Sequence, residues 1–230
     1  NKSKVIVIEG KKYLKPFKIN IGGDPSSAAF FTTLTLLNQN SSLKIKNVGL
    51  NPTRIGFYNI LKKQKAKIKF LNVRKENNEV IGDILVKSCK LKPIKSPASM
   101  YPSTTDEFLL LFLIAGLQNG ISIFKGISDL ANKESSRAHE MKKILIQIGV
   151  KCKLSKDEMK IYGKGIFDAS NKKIFVGNLG DHRVAMCAFI LSIITNAKAT
   201  IKNFETVYTS SPSFLKIMKS LGAKFEIKKK

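Results

Sequence analysis

Apolar residues along this chain fall into short bursts with two spacings. The densest run, Phe108 to Leu117, is ten residues without a polar side chain and stops at Gln118. A bilayer crossing needs roughly 20 such residues, so the run reads as a buried helix. Three stretches carry apolar residues at helical spacing and predict amphipathic helices: Pro52 to Gln64, Ser135 to Ile148 and Pro212 to Leu221. Short segments mixing Lys with apolar residues predict strands. These are Leu43-Lys44-Ile45-Lys46, Ile121-Ser122-Ile123-Phe124-Lys125 and Thr200-Ile201-Lys202. A second set is Ala66-Lys67-Ile68-Lys69-Phe70, Gly149-Val150-Lys151-Cys152-Lys153 and Gly222-Ala223-Lys224-Phe225-Glu226.

Placed in order, these elements recur as one layout repeated three times, and they predict an α/β fold. Each copy opens with an acidic residue before an apolar helix: Gly23-Asp24-Pro25, Thr105-Asp106-Glu107 and Gly180-Asp181-His182. The opening acids lie 82 and then 75 residues apart. A strand with Lys follows, then a polar loop, an amphipathic helix and a closing strand. An Asp at this point can cap free N–H groups, and Pro25 suits a first helical turn. If the copies pack about a pseudo-threefold axis, three helix N-termini point at one region and favour anions there.

The length of 230 residues fits one large domain, or one domain with the remnant of another, and 43% hydrophobic content is enough for a substantial core. The chain opens at Asn1 with no initiator Met and no secretory pattern, and is expected to be a segment of a longer protein. The net charge of +25 invites a nucleic-acid reading. However, the cations are 37 Lys and only 4 Arg, spread along the whole chain, and aromatic residues do not alternate with them as a stacking surface requires. Attraction of small anionic substrates is the more economical use of the field, with a basic nucleic-acid-binding module as the alternative. Cys89, Cys152 and Cys187 have neither metal nor redox spacing and read as buried, reduced thiols of a cytoplasmic protein.

Scarcity makes the arginines informative, since only a planar fork grips a carboxylate or phosphate with two parallel hydrogen bonds. Arg183 follows Asp181-His182, and Arg137 follows Lys133-Glu134-Ser135-Ser136, each at a predicted helix start. The pair points to an anion site. Arg54, after Asn51-Pro52-Thr53, reads as structural, tying a loop to its neighbours. Of two histidines, His182 adjoins Arg183, while His139 falls inside an amphipathic helix as an ordinary surface or boundary residue. No phosphate-binding Gly-rich loop with its Lys-Ser/Thr ending and no Gly-x-Ser-x-Gly elbow is present. ATP-driven and serine-hydrolase chemistry are therefore disfavoured, as is metal-assisted chemistry, because no ligand pairs occur at metal spacing.

Six motifs carry a resemblance. They are Gly23-Asp24-Pro25-Ser26-Ser27-Ala28-Ala29-Phe30-Phe31, Leu50-Asn51-Pro52-Thr53-Arg54, Asp106-Glu107-Phe108, Lys133-Glu134-Ser135-Ser136-Arg137, Asp181-His182-Arg183-Val184-Ala185-Met186 and Thr209-Ser210-Ser211-Pro212-Ser213-Phe214. In this order they resemble the C-terminal half of the 5-enolpyruvylshikimate-3-phosphate (EPSP) synthases, a family of enolpyruvyl transferases. Asp-His-Arg-x-Ala-Met is the most diagnostic and argues against the alternative, the sister enzyme acting on UDP-N-acetylglucosamine. Two departures stand out. Ser136 replaces the family's usual Asp, which touches a helix-start hydrogen bond. Ser211 replaces a usual Phe, which implies altered packing near the site.

The resemblance implies one of two similar domains, built from three βαβαββ units as an inside-out α/β barrel with parallel helices. Residues 1–21 would be the end of the preceding domain, and 22–230 the domain itself, with units at about 22–98, 99–178 and 179–230. The implied reaction moves the enolpyruvyl group of phosphoenolpyruvate onto the 5-hydroxyl of shikimate 3-phosphate and releases phosphate, in aromatic amino-acid biosynthesis. By resemblance, Asp106 is the base and contacts shikimate 3-phosphate, Lys133 also binds shikimate 3-phosphate, and Glu134 relays a proton. Arg137, His182 and Arg183 hold phosphoenolpyruvate. No metal and no cofactor are implied. The partners are the two substrates and the missing N-terminal half, with no nucleic acid or membrane, in a full-length cytoplasmic monomer. The isolated chain is expected to be inactive.

Overall fold

The computed structural model describes residues 5–228. Helices and strands follow as α1 (Pro25–Leu37), β1 (Ser42–Gly49), α2 (Gly56–Lys63), β2 (Ile68–Glu76), β3 (Glu79–Lys87), β4 (Lys95–Ser96), α3 (Phe108–Gly116), β5 (Asn119–Lys125), α4 (Arg137–Gln147), β6 (Lys151–Leu154), β7 (Glu158–Lys164), β8 (Lys173–Val176), α5 (His182–Thr195), β9 (Lys198–Ile201) and α6 (Phe214–Ser220). The strands form three sheets ordered β1-β3-β2, β4-β5-β7-β6 and β8-β9. Parallel pairing joins β4 to β5 and β8 to β9, and antiparallel pairing joins the rest, so the fold is α/β with mixed sheets.

The three apolar helices α1, α3 and α5 pack against one another at the centre. All of α3 is buried, which explains why its sequence shows no polar face: a helix surrounded by protein has none to present. Where threonines enter these buried helices, some bond back one turn. Thr35 Oγ1 donates to the Phe31 carbonyl at 2.8 Å and Thr195 Oγ1 to that of Leu191 at 2.7 Å. Phe214 of α6 is fully buried among Phe30, Phe31, Phe189 and Phe204, joining α6 to α1 and α5. Outer helices are two-sided: α4 buries Met141, Ile144 and Leu145 and exposes Lys143.

The start of α1 is set by a paired irregularity in the first sheet. β1 bulges between Ile45 and Val48, and β2 between Leu71 and Arg74. Asn47 and Asn72 take left-handed backbone there (φ 53° and 52°), a conformation Asn tolerates better than most residues. Asp83 of β3 lies between them. It accepts from the Asn47 N–H at 3.1 Å, from Asn72 Nδ2 at 2.8 Å and from Lys44 at 3.0 Å. Those bonds, the Asn47 amide first, hold its carboxyl down to about 2. The bulge leaves the Asn47 carbonyl free to accept Gly23 N–H at 2.7 Å, and Gly49 N–H returns to the Gly23 carbonyl at 2.8 Å. Chain entry into α1 is thereby fixed to β1.

Several boundaries differ from expectation. The helix expected from Pro52 starts at Gly56, because Asn51 Oδ1 takes the Thr53 N–H at 3.0 Å and closes a turn first. The helices expected from Ser135 and Pro212 start at Arg137 and Phe214. Residues 222–226, expected as a strand, join no ladder, and Phe225 instead packs on Phe189 with ring centroids 5.5 Å apart. Cys152 and Cys187 are buried, but Cys89 is half-buried and takes the Lys67 N–H on its sulfur. Of the segment 1–21, residues 1–4 lie outside the described residues, and 5–21 form neither helix nor strand. Val5, Ile6, Val7, Ile8, Tyr13, Leu14 and Phe17 are each at least 80% exposed, and the stretch touches the domain near its end, where Asn20 Nδ2 donates to Glu76 Oε1 at 2.9 Å. No described helix is long and apolar enough to cross a membrane.

Candidate active site

The N-termini of the three central helices are built differently. Asp24 caps α1, its carboxylate accepting from the N–H groups of Ser26 and Ser27 at 3.2 and 2.8 Å. Asp181 caps α5 through Arg183 N–H at 3.0 Å and Val184 N–H at 3.4 Å. The expectation that Asp106 caps the middle helix is corrected. Asp106 sits in a 3-10 turn over Thr105–Glu107, and neither it nor Glu107 makes a side-chain cap bond. Freed from capping, the Asp106 carboxylate faces two arginines: Arg183 Nη2 at 3.2 Å and Arg137 Nη1 at 3.7 Å. Arg183 Nη1 also donates to the Asp106 carbonyl at 3.4 Å, which fixes the guanidinium against this turn.

A cleft of about 250 Å³ opens beside these groups. Asp24, Ser27 and Phe30 line it from α1, Asp106 from the 3-10 turn, and Glu134 from the loop before α4. His182, Arg183 and Met186 come from α5, and Ser210 and Ser211 from the loop before α6. Four of the residues expected to form the site, Asp106, Glu134, His182 and Arg183, therefore converge on one cleft. A wider depression of about 520 Å³, between residues 127–138 and the β6–β7 turn, contains none of them.

Arg137 lies one layer deeper. Its side chain is only 2% exposed and its fork is filled by carboxylates: Nε to Asp181 Oδ2 at 3.0 Å and Nη2 to Glu134 Oε2 at 2.5 Å, beside the longer pair with Asp106. Asp181 is equally buried and also accepts from Ser135 Oγ at 2.9 Å. Burial pushes the Asp181 carboxyl up. Arg137, then Ser135 and the Val184 N–H, outweigh burial and hold it below the ordinary range. His182 is half-buried, and burial followed by the Arg183 charge pushes its imidazole below its ordinary value, so it is neutral at pH 7. Lys133 is not brought into the cleft lining. Its ammonium rests 2.9 Å from Asp129 Oδ2, which also accepts the Tyr101 hydroxyl at 2.9 Å.

The remaining expectations fall out as follows. Arg54 ties its loop to α1, with Nη2 at 3.3 Å from Asp24 Oδ1 and 3.2 Å from Ser26 Oγ. His139 is exposed. Ser136 occupies the N-cap position of α4 without a side-chain cap bond. Sequence reasoning assigned no role to Glu107, whose buried carboxyl accepts from Ser26 Oγ and is pushed up to about 7, chiefly by burial. The signal was its adjacency to Asp106. Ser210 joins the cleft without having been assigned to it, and Ser211, expected to alter packing near the site, lines it. Chemically, the cleft offers one partly occupied Arg fork, a neutral imidazole and three carboxylates, of which Asp24 is engaged in the α1 cap and with Arg54 while Asp106 and Glu134 face the arginines.

Residues 1–218 match the family model described as EPSP synthase (3-phosphoshikimate 1-carboxyvinyltransferase). The chain belongs to the EPSP synthase family. Among curated relatives it is similar to the 3-phosphoshikimate 1-carboxyvinyltransferase of Zymomonas mobilis, 37% identical over 97% of this chain and 50% of that protein. The Legionella pneumophila (strain Corby) enzyme of the same name is 38% identical over 92% of this chain and 48% of its own length. Among solved structures, EPSP synthase from Acinetobacter baumannii superposes with a TM-score of 0.84 at 32% identity, over 92% of this chain and 48% of that one. The enolpyruvyl transferase NikO from Streptomyces tendae superposes with a TM-score of 0.64 at 11% identity over 86% of this chain and 43% of that one, a likeness of fold alone. The chain spans about half the length of the curated EPSP synthase relatives it matches.

Proposed function

We propose that this chain supplies one wall of an enolpyruvyl transfer site, acting as the C-terminal half of an EPSP synthase. In the reaction, the 5-hydroxyl oxygen of shikimate 3-phosphate bonds to the central carbon of phosphoenolpyruvate, and a proton is added to the methylene carbon. Expulsion of phosphate and loss of a proton from the methyl group so formed then restore the double bond. Asp106 takes the hydroxyl proton and orients the shikimate ring, and Glu134 delivers the proton to carbon. Arg183 and Arg137 carry the negative charge of phosphoenolpyruvate, with neutral His182 beside them as a hydrogen-bonding neighbour. Arg137 reaches the ligand once Glu134 yields Nη2 to it, and Lys133 reaches shikimate 3-phosphate by leaving Asp129.

The observation that carries this reading is the position of Asp106, uncapping and held between Arg183 and Arg137 at the edge of a cleft shared with Glu134. On this reading a base and the charges that stabilise the developing anion share one place. On this reading, residues 1–21 end the preceding domain and 22–230 form one domain of three related units, an inside-out α/β barrel. The parallel β4–β5 and β8–β9 pairs, and the parallel Gly23–Val48 bridge, support that arrangement. The active protein is a cytoplasmic monomer that closes over both substrates, and the chain alone turns over nothing.

Arg183→Lys tests the assignment in the full-length protein, because it keeps the charge and loses the fork. Calorimetry should show phosphoenolpyruvate binding weakened by about 1–3 kcal/mol, the scale of a lost charged hydrogen bond. Shikimate 3-phosphate binding should change far less. Equal losses for both ligands would remove Arg183 from the phosphoenolpyruvate site.

A further inference from the structure

Glu107 is a buried carboxyl that the proposed reaction does not use. It is 3% exposed, at the end of the 3-10 turn that carries Asp106. Ser26 Oγ, in the first turn of α1, donates to Glu107 Oε1. The same Ser26 oxygen accepts Arg54 Nη2 at 3.2 Å, and that nitrogen also reaches Asp24 Oδ1 at 3.3 Å. Arg54, Ser26 and Glu107 are therefore a single chain of hydrogen bonds. It links the loop before α2, the start of α1 and the turn before α3, three segments far apart in sequence.

The charged and titratable groups facing Glu107 come from five segments. Asp24 is at the cap of α1, and Arg54 in the loop before α2. Tyr58 of α2 is buried and donates its hydroxyl to the Pro25 carbonyl at 2.8 Å. Asp106 is its neighbour in the turn, and Arg183 of α5, which pairs with Asp106 and donates to its carbonyl, acts on Glu107 through its charge rather than through a direct bond. His182 and Glu134 lie further round the cleft, and Arg137 beneath it. A carboxyl serving only to tie segments together would be best paired and ionised. This one is desolvated, its nearest partner is a neutral hydroxyl, and the Arg183 fork is committed to Asp106.

We propose that Glu107 is a positioning residue of the cleft: protonated, it leaves the Arg183 fork to Asp106 and to an incoming anion, and ionised, it draws Arg183 inward and weakens anion binding. The proposal deepens the anion-site reading of the cleft and rests on it. Burial, opposed by Ser26 and Arg183, pushes the Glu107 carboxyl up to about 7, so both states are populated near neutrality. An anion placed beside Arg183 adds repulsion and favours the protonated form, so binding takes up a proton. His182 titrates below its ordinary value, so its own contribution lies at more acid pH.

Two arms test this, using sulfate as an anion that does not titrate in the range. In the first, without ligand, carboxyl and amide NMR signals are followed from pH 5.5 to 8.5. Ser26, Ser27 and the Arg54 and Arg183 guanidinium signals should shift together near pH 7, and Glu107→Gln should abolish that transition while sparing the more acid one of His182. In the second, sulfate affinity should fall several-fold between pH 6 and 8 in the wild type and stay flat in Glu107→Gln. Ser26→Ala, which breaks the link and keeps the carboxyl, should uncouple the Ser27 and Arg54 signals from the Glu107 transition. No transition near neutrality, or a wild-type sulfate affinity as flat as that of Glu107→Gln, overturns the proposal. If sulfate perturbs no cleft signal at any pH, the anion-site reading fails and the binding half of the proposal falls with it. The first arm still decides the link between Glu107, Ser26 and Arg54.

Discussion

Arg137→Met should be among the most damaging single changes in this chain. Met keeps much of the side-chain volume and removes the guanidinium. Asp106 and Glu134, at 38% and 48% side-chain exposure, would turn to water, and each lost pair costs about 0–1 kcal/mol. Asp181 has no such escape, since its side chain is fully buried. It would retain only Ser135 Oγ and the α5 N–H groups. Removing one partner of a buried pair costs about 3–5 kcal/mol, a large share of the 5–15 kcal/mol that holds a typical domain together. The pH dependence follows from Asp181. In the wild type its folded value lies below the ordinary 3.8, so its stabilisation is complete above about 4 and is lost as pH falls through the folded value. Without Arg137, burial wins and the folded value rises above 3.8, so the variant instead loses stability as pH climbs through that raised value. Urea unfolding followed by circular dichroism should therefore show a deficit of about 3–5 kcal/mol at pH 7 and a smaller one at pH 4.5. Adding Asp181→Asn should recover part of the loss at pH 7. A deficit under about 1 kcal/mol, or one equal at both pH values, would refute the reasoning.

Glu107→Gln should show the opposite trend. Burial first of all raises the Glu107 carboxyl from 4.5 to about 7, so the wild type loses stability from this group between those values and carries the full penalty above them. Removing the charge should stabilise the chain by roughly 3–4 kcal/mol at pH 8, at about 1.4 kcal/mol per pH unit, and by little at pH 4.5; denaturant midpoints at the two pH values check this. Asp106→Asn loses its pairs with Arg183 and Arg137 but no helix cap, so thermal unfolding should show a loss of about 1 kcal/mol or less. In a full-length context it should slow phosphate release about 10²–10⁴-fold, the range for a lost general base.

Much of this was legible in the sequence because local chemistry and tertiary role agree. Phe108 to Leu117 has no polar face and proves to be the buried α3, and Asp24 and Asp181 cap the helices they precede. Asp106 looked like the third cap, but an Asp before a helix is recognised by its place in the chain. Whether its carboxylate turns to free N–H groups or to distant arginines is decided by packing. The depth of Arg137 was hidden for the same reason: its partners come from three separate segments, and an Arg at a helix start looks exposed until those segments meet. Glu107 read as one more acid beside Asp106, and only Ser26 approaching from 81 residues away reveals its burial. Residues 222–226 carry a strand-like pattern but join no ladder, and there Phe225 packs on Phe189 instead.

The central claim is that the cleft holding Asp106, Glu134 and Arg183 is half of an enolpyruvyl transfer site. Its most direct test joins this chain to the N-terminal half of the Zymomonas mobilis relative and measures phosphate release with both substrates. The relative's own two halves, joined the same way, serve as the control. The account predicts release that requires both phosphoenolpyruvate and shikimate 3-phosphate and that collapses in Asp106→Asn. A folded fusion that binds both substrates and releases no phosphate, while the control does, would contradict it.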